Sequence, residues 1–366
     1  MNKKKWLCVV VATMMLVGSL SGCSAEKTAN AEEQLVDDYK ITLGYYNCDH
    51  MTGAAIGEGA GIYEELGLDV EITGNGKVPQ AMAAGQMDVG YIGTRGFMAS
   101  VAKGSPMVMG ADNHIGGSMY LVVSNDIEKP EDLLGQPVAF GNIEKSEGWL
   151  CGYAQITGLP TTPESFELVT MGSDADKYLA LKAGQIKAFT CCDPWGSYAE
   201  FEGTGKIMAT YYEMDQEMGE CCVLALNKKF VEEHPELAKK MVLAHTKSLE
   251  YVYTHPYKAA EIFAEYYDVP VEVALRTIYK KTVDEGRTLT WKFERERFEH
   301  ARATYEKFNL IDGEIPTYED VVLEDMQGES GAKDFDQFIK EEVDTLFPIG
   351  MAYDEWVVKA KEIDGK

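Results

Sequence analysis

Ala84-Gly85-Gln86-Met87-Asp88-Val89-Gly90 and Ala183-Gly184-Gln185-Ile186-Lys187-Ala188-Phe189 carry one pattern twice, a hundred residues apart. Each reads as a helix that stops at Gly, turns through Gln and continues as an apolar strand. Gly just past a helix end takes the left-handed turn that other residues resist. Working outward from the first copy, Lys40–Tyr46 reads as a strand and Ala54–Leu66 as a helix stopped by Gly67. Leu68–Ile72 is a strand, Pro79–Ala84 a helix, and Asp88–Ile92 a third strand. Around the second copy the same order returns. Pro137–Phe140 is a strand, a helix near Glu147–Thr157 closes at Gly158-Leu159, and Phe166–Thr170 and Ile186–Thr190 are strands. Matching corners in matching order predict an α/β protein with two similar Rossmann-like lobes.

The chain connects those lobes more than once. Tyr120–Ser124 reads as the last apolar strand of the first lobe, and Cys221–Leu226 as the strand that brings the chain back. Two crossings predict a hinge and a central cleft. Helices follow at Pro235–Thr254, Tyr257–Tyr267, Val271–Glu285 and Phe293–Phe308, and Asp334–Ile363 reads as acidic and mostly helical. The expected division is 1–22 leader, 23–38 tether, 39–123 first lobe, 124–220 second lobe, 221–315 the returning part of the first lobe, and 316–366 a helical extension.

The start of the chain is an address. Lys3, Lys4 and Lys5 precede an apolar run from Trp6 to Leu20, too short to span a bilayer comfortably and laid out as an export signal. Leu20-Ser21-Gly22-Cys23 resembles the lipobox of bacterial lipoproteins, which implies lipidation at Cys23 and an extracytoplasmic, membrane-anchored protein. A net charge of −26 disfavours nucleic acid and anionic lipid as partners of the folded body. Hydrophobic residues at 45% indicate a globular chain.

In open α/β sheets, ligands sit beyond the carboxyl ends of the strands. That rule picks the loops at 46–52, 73–78 and 93–97 in the first lobe, and at 141–148, 171–176 and 191–197 in the second. Tyr46 and His50 are candidate contacts as an aromatic wall and a polar tip, while Asn47 and Asp49 are candidates that could equally cap the next helix. Thr94 and Arg95 open a helix where amides and a guanidinium would hold an anion, against the competing reading of a surface arginine paired with an acid. Asn142, Lys145 and Ser146 occupy the matching corner of lobe two, and Cys192, Asp193 and Trp195 its third corner. Arg95 and Asp193 could grip the two ends of a zwitterion or pair with each other. His114, after an apolar strand ending near Gly110, ranks lower.

At this point the chain is similar to the extracytoplasmic solute-binding proteins of nitrate, sulfonate, taurine and thiamine-pyrimidine ABC importers. The resemblance rests on Gly61-Ile62-Tyr63-Glu64-Glu65-Leu66-Gly67-Leu68-Asp69-Val70-Glu71, the two Gly-Gln corners, Asp193-Pro194-Trp195, and Lys229-Phe230-Val231-Glu232-Glu233-His234-Pro235-Glu236. It spans about Tyr39 to Ile315 and implies a type II periplasmic-binding fold, no enzymatic activity and no cofactor. The implied partners are a small polar or anionic solute (nitrate, a sulfonate, taurine or a pyrimidine) and the permease and ATPase subunits of an importer.

Cys48, Cys151, Cys191, Cys192, Cys221 and Cys222 lie in the folded body. Three readings stand side by side: small buried hydrophobes, one or two disulfides such as a bridge between the 191–192 and 221–222 strands, or a soft-metal site using Cys48, Cys192 and Cys221. Alternation along a strand predicts that one Cys of each adjacent pair faces the cleft. In position, Cys221-Cys222 resembles the Cys-rich motif of fungal thiamine-pyrimidine synthases, which use iron. That resemblance implies an alternative function, a thiol- or metal-dependent enzyme or metal sensor on the same fold, although the run continues Val223-Leu224-Ala225 and lacks most of the motif's thiols.

Overall fold

Among the described residues, ten strands carry the two copies of the pattern: β1 Lys40–Tyr45, β2 Asp69–Gly74, β3 Val89–Gly93, β4 Met107–Ile115, β5 Met119–Ser124, β6 Pro137–Ala139, β7 Glu167–Leu168, β8 Ala188–Cys192, β9 Gly205–Thr210 and β10 Glu220–Asn227. They form two five-stranded sheets, ordered β2-β1-β3-β10-β4 and β7-β6-β8-β5-β9. The computed structural model describes residues 39–46, 48–74, 77–116, 119–210 and 220–366; the expected leader, the tether and Asn47 lie outside them. Residues 39–366 make one compact unit.

The sheets are built alike. Three strands run parallel in each, β2, β1 and β3 in the first and β7, β6 and β8 in the second. Each sheet then adds an antiparallel strand, β10 beside β3 and β5 beside β8. Apolar clusters cover both faces of both sheets, as central parallel strands require. The repeated corners have the same geometry. Gly85 and Gly184 sit at φ 67° and 70°, and the amides of Gln86 and Gln185 reach back to the carbonyls of Ala81 and Ala180 at 2.9 Å each.

Several expectations need correction. The strand near Tyr120–Ser124 belongs to the second sheet, where β5 pairs with β8 and β9. The chain therefore crosses between Ile115 and Met119, earlier than the expected boundary at 123/124; an apolar strand looks the same whichever sheet it joins. The strand expected to end near Gly110 runs on to Ile115 because β10 pairs along its whole length, with register shifts. That extension takes Asp112, Asn113 and His114 into the interior. The helix read over Ala54–Leu66 is two pieces, Gly53–Gly59 and Ile62–Glu65, separated by Gly61 in the left-handed region at φ 73°. The helix read over Val271–Glu285 is regular through Tyr279 and then widens into a π turn at Lys280–Asp284.

The C-terminal residues complete the first lobe. Met326, Phe335, Phe338, Phe347 and Trp356 join the same apolar cluster as Ile41, Leu43 and Leu224. Val322 bridges to Met109, and the Leu323 amide donates to the Met109 carbonyl at 3.0 Å, so this segment covers the outer edge of β4. Asp364 accepts from the amides of Tyr257 and Lys258 at 2.9 and 3.0 Å, satisfying the first turn of the helix Pro256–Tyr267.

Candidate functional site at the seam between the sheets

The carboxyl ends of β1 and β8 meet. The Asp49 amide, four residues past Tyr45 at the end of β1, donates to the Asp193 carbonyl at 2.9 Å. Both aspartates are buried, and two consecutive lysines on the π turn serve them. Lys281 Nζ lies 3.4 Å from Asp49 Oδ2, and Lys280 Nζ lies 3.6 Å from Asp193 Oδ2. Asp193 also accepts from the Ser197 amide at 2.9 Å, the Ser197 hydroxyl at 2.6 Å and the Thr277 hydroxyl at 3.4 Å. Lys281 donates to Tyr120 of β5 at 2.8 Å and to Glu285 at 2.5 Å, and Tyr120 donates to Glu285 at 2.6 Å. One turn of helix thus ties the tips of both sheets together.

Beyond that ionic knot lies a soft one. Asp49 Oδ1 is 3.1 Å from His50 Nδ1, and His50 Nε2 is 3.2 Å from Cys48 Sγ. The His50 and His114 rings lie 5.2 Å apart, and Asn113 donates its side-chain amide to the His50 carbonyl. Cys221 and Cys222 sulfurs are 3.6 Å apart, and both fall with a His50 ring nitrogen inside a 4.8 Å group. The register shifts of β10 at Cys222 explain why two adjacent residues reach the same place, against the expected alternation. In the other pair alternation holds: Cys191 is in the core of the second sheet and Cys192 is half-buried at the seam.

The electrostatics follow from burial among these neighbours. Burial pushes the Asp49 carboxyl up, but Lys281 and His50 outweigh it and hold the group below the ordinary carboxylate range. Burial pushes His50 down, and its neighbours Cys48, Cys221 and Asp49 more than reverse this, so its imidazole is raised well above the usual value. The Cys222 hydrogen bond lowers Cys221, and His50 and His114 add to it against burial, so this thiol falls well below the usual range. Cys221 and His50 thus shift each other toward their charged forms. Tyr46, close to Cys48 and Cys222, is pushed up to about 12, mainly by burial. Glu147 approaches from the second lobe and is pushed up to about 7 by burial and then by Cys221, with Arg95 opposing.

Of the residues singled out from sequence, the seam brings together Tyr46, Asp49, His50, Cys192 and Asp193, with Cys48 and Cys221 from the thiol reading. Arg95 is turned elsewhere: it donates to the Leu310 carbonyl at 3.2 and 3.3 Å and to the Lys145 carbonyl at 3.2 Å. It does not pair with Asp193, and it lies close enough to Glu147 to favour that carboxylate. Thr94 is fully buried in the first turn of its helix. Asn142 and Ser146 accept from nearby amides, those of Glu144 and Trp149 at 3.2 Å each, and so stabilise their own turn. Trp195 stacks on Tyr198 in the second lobe. The bridge considered between the 191–192 and 221–222 strands is not present: β8 and β10 are not neighbours in a sheet, and all six described cysteines are free.

Sequence reasoning passed over Lys280, Lys281, Glu285 and Tyr120. Lys281 and Glu285 have the i, i+4 spacing of an ordinary surface pair, so only the apolar residues before them, Ile278 and Leu275, hinted at burial. A second hidden group is Asp112, Glu220 and Arg297. Arg297 lies 3.7 Å from Asp112, and burial pushes Asp112 up to about 7 and Glu220 well up, with Asp112 further discouraging ionisation of Glu220.

With this geometry in hand, comparison with known proteins is direct. Residues 47–259 match the family described as NMT1/THI5 like, and the chain belongs to that family. Its curated relatives include 4-amino-5-hydroxymethyl-2-methylpyrimidine phosphate synthase THI13 of Saccharomyces cerevisiae, 26% identical over 242 residues that cover 60% of this chain and 68% of that protein. The yeast synthase THI5 matches at the same identity and coverage. Among solved structures, the ligand-binding component of an ABC-type import system from Staphylococcus aureus, with zinc bound, superposes with TM-score 0.64 at 16% identity, over 80% of this chain and 99% of that one. The periplasmic nitrate-binding protein NrtA from Synechocystis gives TM-score 0.63 at 14% identity, over 88% and 98%. The alkanesulfonate-binding protein SsuA from Xanthomonas axonopodis gives 0.62 at 14% identity, over 78% and 98%. The fold is that of the periplasmic solute-binding proteins.

Proposed function

We propose that the protein is a lipid-anchored, extracytoplasmic receptor that closes its two lobes on a small solute and delivers it to the permease and ATPase of an ABC importer. The observation that carries this reading is the meeting of strand tips from both sheets at one seam, tied by Asp49, Asp193 and the Lys280–Lys281 pair. Cys23 would hold the receptor at the membrane face, where tethering raises its local concentration at the permease.

The seam also bears on the solute. Its polar side chains are phenol, imidazole, thiol and carboxyl, and its cations are already engaged: Lys280 and Lys281 by acids, Arg95 by carbonyls. Of the candidate solutes, a nitrogen heterocycle of the pyrimidine class suits such a lining better than a bare anion. Its face can lie on Tyr46 and its ring nitrogens can meet Glu147. The relatives named as pyrimidine phosphate synthases are in keeping with that class.

A thermal-shift panel of nitrate, taurine, an alkanesulfonate and 4-amino-5-hydroxymethyl-2-methylpyrimidine tests this. Ligand that binds only the folded form at 100 times its Kd adds about 2.7 kcal/mol of stability. The pyrimidine should stabilise and the anions should not; stabilisation by nitrate or taurine alone would overturn the solute assignment. Intact-mass analysis of the membrane fraction checks the anchor, which Cys23→Ala should release.

A second reading, a metal-dependent enzyme or sensor, is favoured by one observation: His50, Cys221 and Cys222 offer a nitrogen and two sulfurs within 4.8 Å of one another. That donor set suits a borderline or soft metal such as iron or zinc. Elemental analysis of the purified protein separates the two. Stoichiometric metal lost on Cys221→Ser supports the second reading, and metal-free protein with full solute affinity eliminates it.

A further inference from the structure

Two of the seam thiols come from opposite lobes. Cys48 follows β1 of the first sheet, and Cys192 ends β8 of the second. The residues directly after them are joined by the Asp49 N–H to Asp193 carbonyl hydrogen bond at 2.9 Å. That bond brings the two chain segments side by side. Disulfides bridge Cα atoms about 4.4–6.8 Å apart. Each thiol feels the other electrostatically, both are free, and both are half-buried where Cys191 and Cys222 are fully enclosed.

We propose that Cys48 and Cys192 form a redox latch. A small disulfide oxidant of the glutathione type converts the two thiols into one inter-lobe disulfide. The Cys48 and Cys192 sulfurs lose two electrons and two protons, a sulfur–sulfur bond forms between them, and the oxidant's own bond breaks to give two thiols. The product staples the tip of β1 to the tip of β8 and holds the seam shut; a dithiol reductant reopens it. Cys221 and Cys222 are neighbours on one strand, so a bond between them would leave the lobes free. The latch holds whichever solute occupies the seam.

The test uses the purified, reduced full chain treated with oxidised glutathione, then mapped by non-reducing peptide mass spectrometry. Iodoacetamide labelling of Cys221 reports how often the seam opens. Oxidation should remove two free thiols per chain, yield a Cys48–Cys192 cross-linked peptide, and slow Cys221 labelling several-fold, with dithiothreitol restoring the original rate. Cys192→Ser and Cys48→Ala should each keep the reduced-state labelling rate under the same oxidant. The proposal is overturned if both thiols stay fully alkylatable, if the disulfide maps to Cys221–Cys222, or if the cross-link forms and Cys221 labelling is unchanged. Circular dichroism of both variants shows that they fold, so a lost cross-link reports the missing sulfur and not a damaged lobe.

Discussion

The two sheets agree at one end and differ at the other. At the amino ends of β3 and β8, Gly85-Gln86 and Gly184-Gln185 adopt the same turn with the same back-bonds to Ala81 and Ala180. At the carboxyl ends of the same strands nothing matches. One continues as Thr94-Arg95, with Thr94 buried and Arg95 reaching for carbonyls; the other continues as Asp193-Pro194, with Asp193 buried under a lysine, two hydroxyls and an amide. The repeated ends build the scaffold, and the carboxyl end of β8, with that of β1, builds the seam.

Breaking the divergent end should cost most. Lys281 is buried against Asp49 and Glu285, and removing one partner of such a group leaves uncompensated buried charge. Lys281→Met should lower unfolding free energy by about 3–5 kcal/mol in denaturant titration. Lys280→Met should cost less, because Asp193 keeps Ser197 and Thr277. A Lys280→Met loss equal to or larger than that of Lys281→Met would show that the two aspartates are not held in the different ways described.

The repeated end gives the next effect. Gly85→Ala and Gly184→Ala place a Cβ in the left-handed region at φ 67° and 70°, which costs roughly 1–2 kcal/mol each. The two losses should agree closely, and a large disparity in chemical denaturation would contradict the equivalence of the corners.

pH probes the hidden acids behind the seam. Asp112 holds its proton to about 7 when folded, against an ordinary value of 3.8. Between those values the folded chain binds the proton that the unfolded chain has released, so stability falls as pH rises through this window. The contribution is complete below 3.8 and gone above about 7. Asp112→Asn should flatten that part of the stability–pH curve, and an unchanged slope would remove Asp112 as its source. Arg95→Ala should have the smallest effect. It forfeits hydrogen bonds to two carbonyls at a partly exposed site, about 0.5–1.5 kcal/mol for a typical bond, and leaves solute affinity unaffected. A large affinity loss would return Arg95 to the binding residues.

Legibility divided along the same line. The strands and the Gly corners could be read because periodicity and left-handed turns are local properties, written within a few residues of Gly85 and Gly184. The loops after β1 and β8 were also located, since strand ends follow from strand assignments. Direction within those loops was not legible. Arg95 had the chemistry of an anion clamp, and only the position of the Leu310 and Lys145 carbonyls shows it to be committed. Lys281 pairs with Asp49 across more than two hundred residues, Glu220 meets Asp112 through β10, and a bulge lets Cys221 and Cys222 converge. Each of these depends on long-range pairing, which no local pattern encodes.

The central claim is that two lobes close on a guest and leave it unchanged. Equilibrium dialysis of the purified protein against isotopically labelled 4-amino-5-hydroxymethyl-2-methylpyrimidine, with mass analysis of the recovered label, tests it most directly. Saturable binding of one molecule per chain, recovered intact, is the predicted result. Recovery of a transformed product, or no retention of the label at any concentration, would contradict it.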